Sequence, residues 1–228
     1  MSGNRRFENV LLKLWRELPH DLIIGRERSR QSIETLRRYD IPLGVPESAA
    51  AGTFAIAEFA ARDYACARWA WAIPDEKAIA VLVRYSPIVE IGAGTGYWAR
   101  LAAEAGADVV AYDSRVGRTG RRRTRRGRYW GARCGAYFPV RRGGSNMARY
   151  HAGRTLFLCW PPYNTPMAEY ALAHYEGSTL IYVGENGGCT ANDAFHRMLE
   201  RGWETAEVIC IPRWHGLHDR MYVLERRR

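Results

Sequence analysis

The spacing of apolar residues predicts a helical first part of the chain and a sheet-forming remainder. Before residue 85 apolar residues recur at helical intervals, and Ser32 is the expected cap of the second helix. The predicted helices are Phe7–Leu18, Ser32–Tyr39, Ala49–Ala72 and Pro74–Val83. After residue 85 short apolar runs predict strands at Ile88–Ile91, Val109–Tyr112, Ala136–Val140, Thr155–Cys159, Thr179–Val183, Glu204–Ile211 and Arg220–Glu225. Between these strands, helices are predicted at Tyr97–Ala105, Met167–Tyr175 and Asn192–Arg201.

The stretch Ser86–Asp113 carries the clearest chemistry. Three glycines follow its first strand: Gly92, Gly94 and Gly96. Glycines at the end of a strand let a ligand lie against bare main chain and the amino terminus of the next helix. An acid after the following strand, here Asp113, can accept hydrogen bonds from ribose hydroxyls. The pattern predicts a right-handed βαβ unit that binds an adenosine-containing cofactor.

The spacing of the glycines distinguishes between such cofactors. A dinucleotide fingerprint has its third glycine three residues after the second, where this chain has Tyr97. Glu90 would repel a pyrophosphate but suits an ammonium group. The sequence EIGAGTG at residues 90–96, with Asp113 after the next strand, resembles motif I and the following acid of the class I S-adenosylmethionine-dependent methyltransferases.

The resemblance implies a fold and a cofactor. The expected fold is α/β and Rossmann-like, a mostly parallel seven-stranded sheet with an antiparallel last strand. The methyltransferase domain would span residues 85–228, behind a helical N-terminal cap over 1–84. The expected cofactor is S-adenosyl-L-methionine, held by Glu90, Gly92, Gly94, Gly96, Asp113 and Cys159. In this family the helices ahead of the first strand commonly cover the cofactor. The aromatic residues Tyr64, Trp69 and Trp71 either line such a pocket or pack a helix against the sheet.

A second motif follows the strand that ends at Cys159. The sequence WPPY at residues 160–163 resembles motif IV of the amino-methyltransferases, in which Asp, Asn or Ser precedes Pro-Pro and an aromatic residue. Trp160 donates a hydrogen bond but accepts none, which argues against methylation of an adenine or cytosine amine. We expect Trp160 and Tyr163 to border a flat or apolar acceptor. The alternative is a Pro-Pro turn that only ends the strand.

Three further residues are candidate catalytic groups. Glu185 follows the strand Thr179–Val183, and His215 and His218 lie in the loop before the last strand, as do Trp214 and Asp219. These loops are expected at the same edge of the sheet as the glycine loop. A base is needed only when the acceptor loses a proton, so each of the three is either that base or an ordinary polar loop residue.

Positive charge is concentrated in one segment. The net charge is +10, but 12 of the 34 basic residues are arginines between residues 115 and 149, where there is no acid, which leaves 22 basic against 24 acidic residues elsewhere. This irregular Arg/Gly-rich segment is a nucleic-acid-binding arm, a solvated loop, or a recently acquired or misread piece of coding sequence. Near its end Arg141 and Arg142 stand where the family usually has an acid or amide for adenine, so only Ser145 or Asn146 could take that role.

Composition excludes several classes of protein. A chain of 228 residues with 47% hydrophobic content can bury a sizeable core. The five cysteines are scattered and contain no C-x-x-C pair, so neither a disulfide framework nor a zinc site is expected, and no metal is implied. No apolar run reaches the length of a membrane span and no signal-peptide pattern is found. We expect a cytoplasmic protein without membrane contact.

These observations favour a methyltransferase that uses S-adenosyl-L-methionine and acts on a small-molecule acceptor. The altered first residue of motif IV supports a small molecule. The arginines support one alternative, a nucleic-acid (RNA or DNA) methyltransferase that uses residues 115–149 to hold its substrate. The other alternative is a non-catalytic nucleic-acid-binding protein that kept the fold and lost adenine recognition.

Overall fold

The computed structural model of the protein describes residues 7–19, 26–50, 54–116, 122–124, 127–129 and 137–228. Seven strands among these residues form one sheet in the spatial order β5-β2-β1-β6-β7-β9-β8. They are β1 (Ile88–Ile91), β2 (Val109–Asp113), β5 (Val140–Arg142), β6 (Thr155–Cys159), β7 (Thr179–Gly184), β8 (Trp203–Cys210) and β9 (Arg220–Arg226). A separate antiparallel pair consists of β3 (Arg122–Thr124) and β4 (Gly127–Tyr129). The predicted α/β, Rossmann-like fold with a seven-stranded sheet is confirmed.

One strand of the sheet runs against the others. The strands β5, β2, β1, β6 and β7 pair in parallel. The strand β9 is antiparallel to both of its neighbours, β7 and β8, which confirms the predicted antiparallel last strand. The chain order reverses at β1, which lies between β2 and β6. In open sheets of this kind, ligands bind in the crevice beyond the carboxyl ends of the strands at such a reversal.

Eight α-helices and one 3-10 helix are present among the described residues. Five precede the sheet: α1 (Val10–Glu17), α2 (Arg26–Arg38), α3 (Glu47–Ala50), α4 (Phe54–Arg68) and α5 (Glu76–Arg84). The others are α6 (Tyr97–Glu104), α7 (Met167–His174), α8 (Asp193–Gly202) and the 3-10 helix η1 (Ser145–Tyr150). Asp75 caps α5 by accepting a hydrogen bond from the Ala78 amide at 2.8 Å, and Asn192 caps α8 in the same way.

The two faces of the sheet bury different helices, because successive side chains of a strand point to opposite sides. In β6, Phe157 belongs to a core cluster that contains residues of α1, α2, α4, α5 and α6. Its neighbours Leu156 and Leu158 pack on the other face with α7 and α8. The helices ahead of β1 therefore share one hydrophobic core with the sheet, in a three-layer arrangement.

Some predicted boundaries are wrong. The second helix begins at Arg26, six residues before its predicted start, and Ser32 is a buried residue inside it rather than its cap. Hydrogen bonds from Arg30 and Gln31 to Glu27, at i, i+3 and i, i+4 spacing, explain the longer helix.

The third strand of the predicted sheet also lies elsewhere, at Val140–Arg142 instead of Ala136–Val140. The Tyr137 amide donates to the Thr95 carbonyl at 3.0 Å, so Tyr137 is held against the glycine loop, and the strand begins at Val140. The described part of the arginine-rich segment contains β3, β4, β5 and most of η1. Its residues 117–121, 125–126 and 130–136 lie outside the described residues, as do residues 51–53 of the predicted helix Ala49–Ala72.

No helix within the described ranges is both long enough and apolar enough to cross a lipid bilayer.

Candidate cofactor and acceptor site

The glycine loop turns sharply at the end of β1. Gly92, Gly94 and Gly96 all have positive φ, at 81°, 54° and 74°, which non-glycine residues rarely adopt. A Cβ added at Gly94 would meet nothing within 4 Å, so the main chain there is open to a ligand. At Gly96 a Cβ would approach Phe138 and Val140 to within 2.9 Å, and at Gly92 it would overlap the terminal methyl of Met167. The loop is thus bare at its centre and covered at both ends.

Glu90 interrupts an apolar row. Ile88, on the same side of β1, packs into the core between the sheet and the N-terminal helices. The Glu90 side chain is only 2% exposed, and its Oε2 has no hydrogen-bond partner among the described residues. Burial, helped by the nearby Asp113 carboxylate and opposed by the Ala99 amide, raises the pKa of Glu90 to about 8. A buried carboxyl in this state lacks the cation that would stabilise its charge.

Asp113 lies against the glycine loop, as the βαβ pattern predicts. Its Oδ2 accepts a hydrogen bond from the Gly94 amide at 3.0 Å, and its Oδ1 accepts one from the Arg115 amide at 2.7 Å. These bonds fix the carboxylate beside the open main chain of Gly94. A carboxylate has about four acceptor positions, so two donors leave capacity for ribose hydroxyls.

A cavity of about 70 Å³ lies between this loop and the segment that joins α4 to α5. Four predicted cofactor residues line it, namely Glu90, Gly92, Gly94 and Cys159. Cys66, Trp69, Ala70, Trp71, Ala93, Thr95, Tyr97 and Trp98 complete the lining, whereas Gly96, Asp113, Trp160 and Tyr163 do not take part. Trp69 and Trp71 therefore line a pocket, while Tyr64 packs edge-on against Trp69 with ring centroids 5.8 Å apart.

The cavity fits part of the expected cofactor. A volume of 70 Å³ holds roughly two waters at liquid density, which leaves room for an ammonium group beside Glu90 and is much smaller than the whole molecule. The adenosine end would need space beyond Gly92, where the flexible Met167 side chain lies. Ser145 donates its hydroxyl to the Met167 carbonyl at 2.7 Å, and Asn146 is exposed.

The cavity is anchored to the N-terminal helices. The Tyr97 hydroxyl donates to Asn9 at 3.1 Å and accepts from the Leu11 amide at 3.1 Å. The Thr95 hydroxyl donates to the Trp69 carbonyl, and the Trp98 indole donates to the Ala72 carbonyl at 3.2 Å. The helical segment and the glycine loop therefore hold each other in place.

Trp160 stands at the edge of this region in a strained conformation. Its φ is 50°, an uncommon value for a bulky residue, and its amide donates to the Val183 carbonyl at 2.8 Å. Its ring stacks on Trp71 with centroids 5.3 Å apart, and the Arg62 guanidinium lies 5.6 Å from both ring centroids. Tyr163, by contrast, is 68% exposed and lies away from the cavity.

Glu185 is held by main-chain donors. The Cys189 amide donates to its Oε2 at 2.9 Å and the His218 amide to its Oε1 at 2.6 Å. Burial raises the pKa of Glu185, but these hydrogen bonds outweigh that effect and lower it overall. The His218 ring is 80% exposed, with Nδ1 at 3.5 Å from Glu185, and the His215 amide donates to Glu58 at 2.7 Å. Glu185 and His218 thus contact each other, His215 contacts Glu58 of α4 instead, and none of the three lines the cavity.

Asp219 belongs to the same loop as His215 and His218, and no sequence pattern distinguishes it as a base. It is 1% exposed, and neither carboxylate oxygen has a hydrogen-bond partner among the described residues. Burial raises the pKa of Asp219 to about 6, against the lowering effect of the adjacent Trp160 indole. Trp214, from the same loop, is a core residue at 1% exposure. The sequence offers no signal for this difference, because the burial of Asp219 depends on residues from distant segments.

Neither a metal site nor a comparison with known proteins assigns a function to this region. In the described ranges no group of three or more His, Cys, Asp or Glu residues could hold a metal ion. No protein-family model matches the chain, and no curated protein matches it either.

Proposed function

We propose that the protein is an S-adenosylmethionine-dependent methyltransferase that acts on a small-molecule acceptor. One observation carries the proposal. Glu90 is buried in an otherwise apolar row, has an unpartnered oxygen, and lines a cavity together with the open main chain of Gly94. A protein gains nothing in stability from such a group, which indicates that it binds a cation from a ligand.

Different residues of the site would bind different parts of the cofactor. Glu90 would hold the ammonium of the methionine moiety, where the charge of a ligand would replace the missing partner. Asp113, fixed by the Gly94 and Arg115 amides, would accept the ribose hydroxyls. Movement of the unbranched Met167 side chain from Gly92 would make room for the nucleoside.

When bound, S-adenosylmethionine supplies an electrophilic methyl group on a sulfonium. The protein's contribution is mainly to align donor and acceptor and to exclude water. The half-buried Trp71 and Trp160 rings stack at the side of the cavity and would cover the sulfonium on the acceptor side.

A small acceptor suits this side better than a nucleic acid. Trp160 presents an indole N–H and no acceptor for an exocyclic amine. Among the described arginines of the segment 115–149, Arg141 and Arg142 are exposed on β5, beside Asp113 rather than beside Trp160. Methylation of RNA or DNA is therefore the alternative activity, and the experiment described next tests it as well.

Calorimetry with S-adenosylmethionine and S-adenosylhomocysteine tests the proposal. We expect both to bind, and Glu90→Gln to weaken both by about 2 kcal/mol or more, roughly thirtyfold, because one partner of a buried charge pair is removed. Glu200→Gln, an exposed change on α8, is the matched control and should bind like the wild type. Absence of heat with either ligand would support the non-catalytic alternative, and incubation with labelled cofactor and RNA or DNA would identify a nucleic-acid acceptor.

A further inference from the structure

A second unpartnered carboxylate lies beyond the cavity. Asp219, just before β9, is almost fully buried, and both of its oxygens lack a hydrogen-bond partner among the described residues. The indole N–H of Trp160 is the side-chain hydrogen-bond donor that lowers the pKa of Asp219, although the two groups do not meet at full hydrogen-bonding geometry. Buried polar groups are almost always satisfied. A buried donor and a buried acceptor that lie together without full hydrogen-bonding geometry mark a place for a ligand that can complete the hydrogen bonds of both.

The position of Asp219 relates this pair to the cavity. Cys159 lines the cavity, and the charges of both Glu90 and Asp219 raise the pKa of its thiol, after the larger effect of burial. The charge of Asp219 also raises the pKa of the Cys66 thiol, and Cys66 is another residue that lines the cavity. Trp71 lines the cavity as well and stacks on Trp160. Trp160 thus borders the Glu90 cavity through Trp71, and Asp219 lies close enough to two lining thiols to raise their pKa, as an acceptor subsite beside the cofactor subsite would.

The main chain at Trp160 supports a functional role for the pair. Its positive φ is unfavourable for a bulky residue and is maintained by surrounding hydrogen bonds. One joins the Trp160 amide to Val183 at 2.8 Å, and another joins the Ala191 amide to the Pro161 carbonyl at 3.0 Å. The strained turn holds the indole beside Asp219.

We propose that Asp219 and Trp160 form the acceptor subsite, that the acceptor is a planar compound with a hydroxyl group, and that Asp219 is the catalytic base. This inference rests on the proposed methyltransferase function. A hydroxyl donates its hydrogen to Asp219 and accepts from the Trp160 indole with one lone pair, which leaves the other free to attack. A neutral amine has a single lone pair, and a hydrogen bond from Trp160 would block it. The geometry therefore selects oxygen over nitrogen.

The methyl transfer requires only the acceptor hydroxyl, the Asp219 carboxylate and the sulfonium of the cofactor. The hydroxyl proton moves to the Asp219 carboxylate as the oxygen forms a bond to the methyl carbon. The carbon–sulfur bond breaks and its electron pair stays on sulfur, so the products are a methyl ether, a neutral thioether and a protonated Asp219. The base then returns its proton to solvent.

The charges around Asp219 leave it ionised at neutral pH. Burial raises its pKa, Trp160 lowers it, Glu185 raises it, and Arg62 and Arg213 lower it, for a value of about 6. Among the described residues, the pKa values of the thiols of Cys66, Cys159 and Cys189 and of the phenols of Tyr182 and Tyr222 also respond to Asp219. Since the pKa of each of these five groups is raised, they stay neutral near pH 7.

Binding of phenol and of anisole, its methyl ether, tests the inference on the intact protein. The two probes share a ring and differ in the hydroxyl proton. We expect the wild type to bind phenol about tenfold more tightly than anisole, measured by NMR or by quenching of tryptophan fluorescence, because a hydrogen bond to a buried carboxylate is charge-assisted. Asp219→Asn should remove most of this preference, and Asp63→Asn, an exposed aspartate on α4, should keep it.

A second variant and a second ligand distinguish loss of the acceptor subsite from misfolding and from loss of the cofactor subsite. Trp160→Phe retains the carboxylate and removes the indole N–H, so it should reduce the preference for phenol even if Asp219→Asn fails to fold. Titration with S-adenosylhomocysteine reports the cofactor subsite separately, and Asp219→Asn should bind it like the wild type. Equal affinity of the wild type for phenol and anisole, or a preference that survives both substitutions, overturns the inference. Failure of S-adenosylhomocysteine to bind the wild type overturns the proposed methyltransferase instead.

Discussion

The ends of β1 and β7 each carry a buried glutamate, and the protein treats the two in opposite ways. Glu90 is 2% exposed and Glu185 is 7% exposed. Two main-chain amides donate to Glu185, and they outweigh burial and lower its pKa. Glu90 has an unpartnered oxygen, and burial raises its pKa to about 8. Similar burial therefore gives a structural anion at one strand end and a carboxyl that lacks a cation at the other.

The largest expected effect comes from Glu90 and stability. Its pKa in the folded protein, about 8, lies above its ordinary value of 4.5, so the unfolded chain loses its proton first as pH rises. The free energy of unfolding should fall between pH 4.5 and 8 and level off above. Glu90→Gln removes this loss and should be more stable than the wild type by on the order of 4 kcal/mol at pH 8, with little difference at pH 4. Urea denaturation across this range measures it, and identical pH dependence of the two proteins would contradict the burial of Glu90.

Glu185→Gln should have a smaller effect of the opposite sign. Because the folded pKa of Glu185 is lowered, its stabilising effect is present above the unfolded pKa and is lost as pH falls through the lower folded pKa. We expect the substitution to cost about 1–3 kcal/mol at pH 7, through weaker bonds to the Cys189 and His218 amides. The difference from the wild type should shrink in acid. A stability cost that is constant down to pH 2 would show that the charge of Glu185 is not involved.

Met167→Ala should have the smallest effect, and it tests whether the Met167 side chain covers the place of the cofactor at the end of β1. The substitution removes the methyl group that covers Gly92, so S-adenosylhomocysteine should bind a few-fold more tightly, by about 1 kcal/mol, because less side chain must move. Met198→Ala is the matched control, since both methionines pack against the same core cluster. Weaker binding by Met167→Ala alone would mean that the thioether contacts the cofactor instead of covering its place.

The β1 end could be predicted from the sequence because its signals are local. A strand, three glycines, a helix and a second strand lie within 28 residues, and the structure keeps β1 at its predicted bounds, Ile88–Ile91. Gly94 and Asp113 lie together, as the βαβ pattern indicates, and the structure adds a hydrogen bond between them. The unpartnered oxygen of Glu90 could not be foreseen, because it depends on which helices cover the sheet.

The β7 end was less predictable because its chemistry depends on distant segments. Glu185 and Asp219 are both acids in loops at the same edge of the sheet, and only their donors distinguish them. The Cys189 and His218 amides belong to different loops, 33 residues separating His218 from Glu185. Arg62 reaches Trp160 from a helix that precedes the sheet. No spacing rule connects these residues, so sequence patterns favoured the histidines over Asp219.

Proton release on cofactor binding tests the central claim most directly. Glu90, with a pKa of about 8, is mostly protonated at pH 7, and an ammonium group held against it would drive off that proton. Calorimetry with S-adenosylmethionine at pH 7, in buffers of different ionisation enthalpy, should show close to one proton released by the wild type and none by Glu90→Gln. Binding of S-adenosylmethionine with no proton released, or with the same release from both proteins, would contradict the role of Glu90.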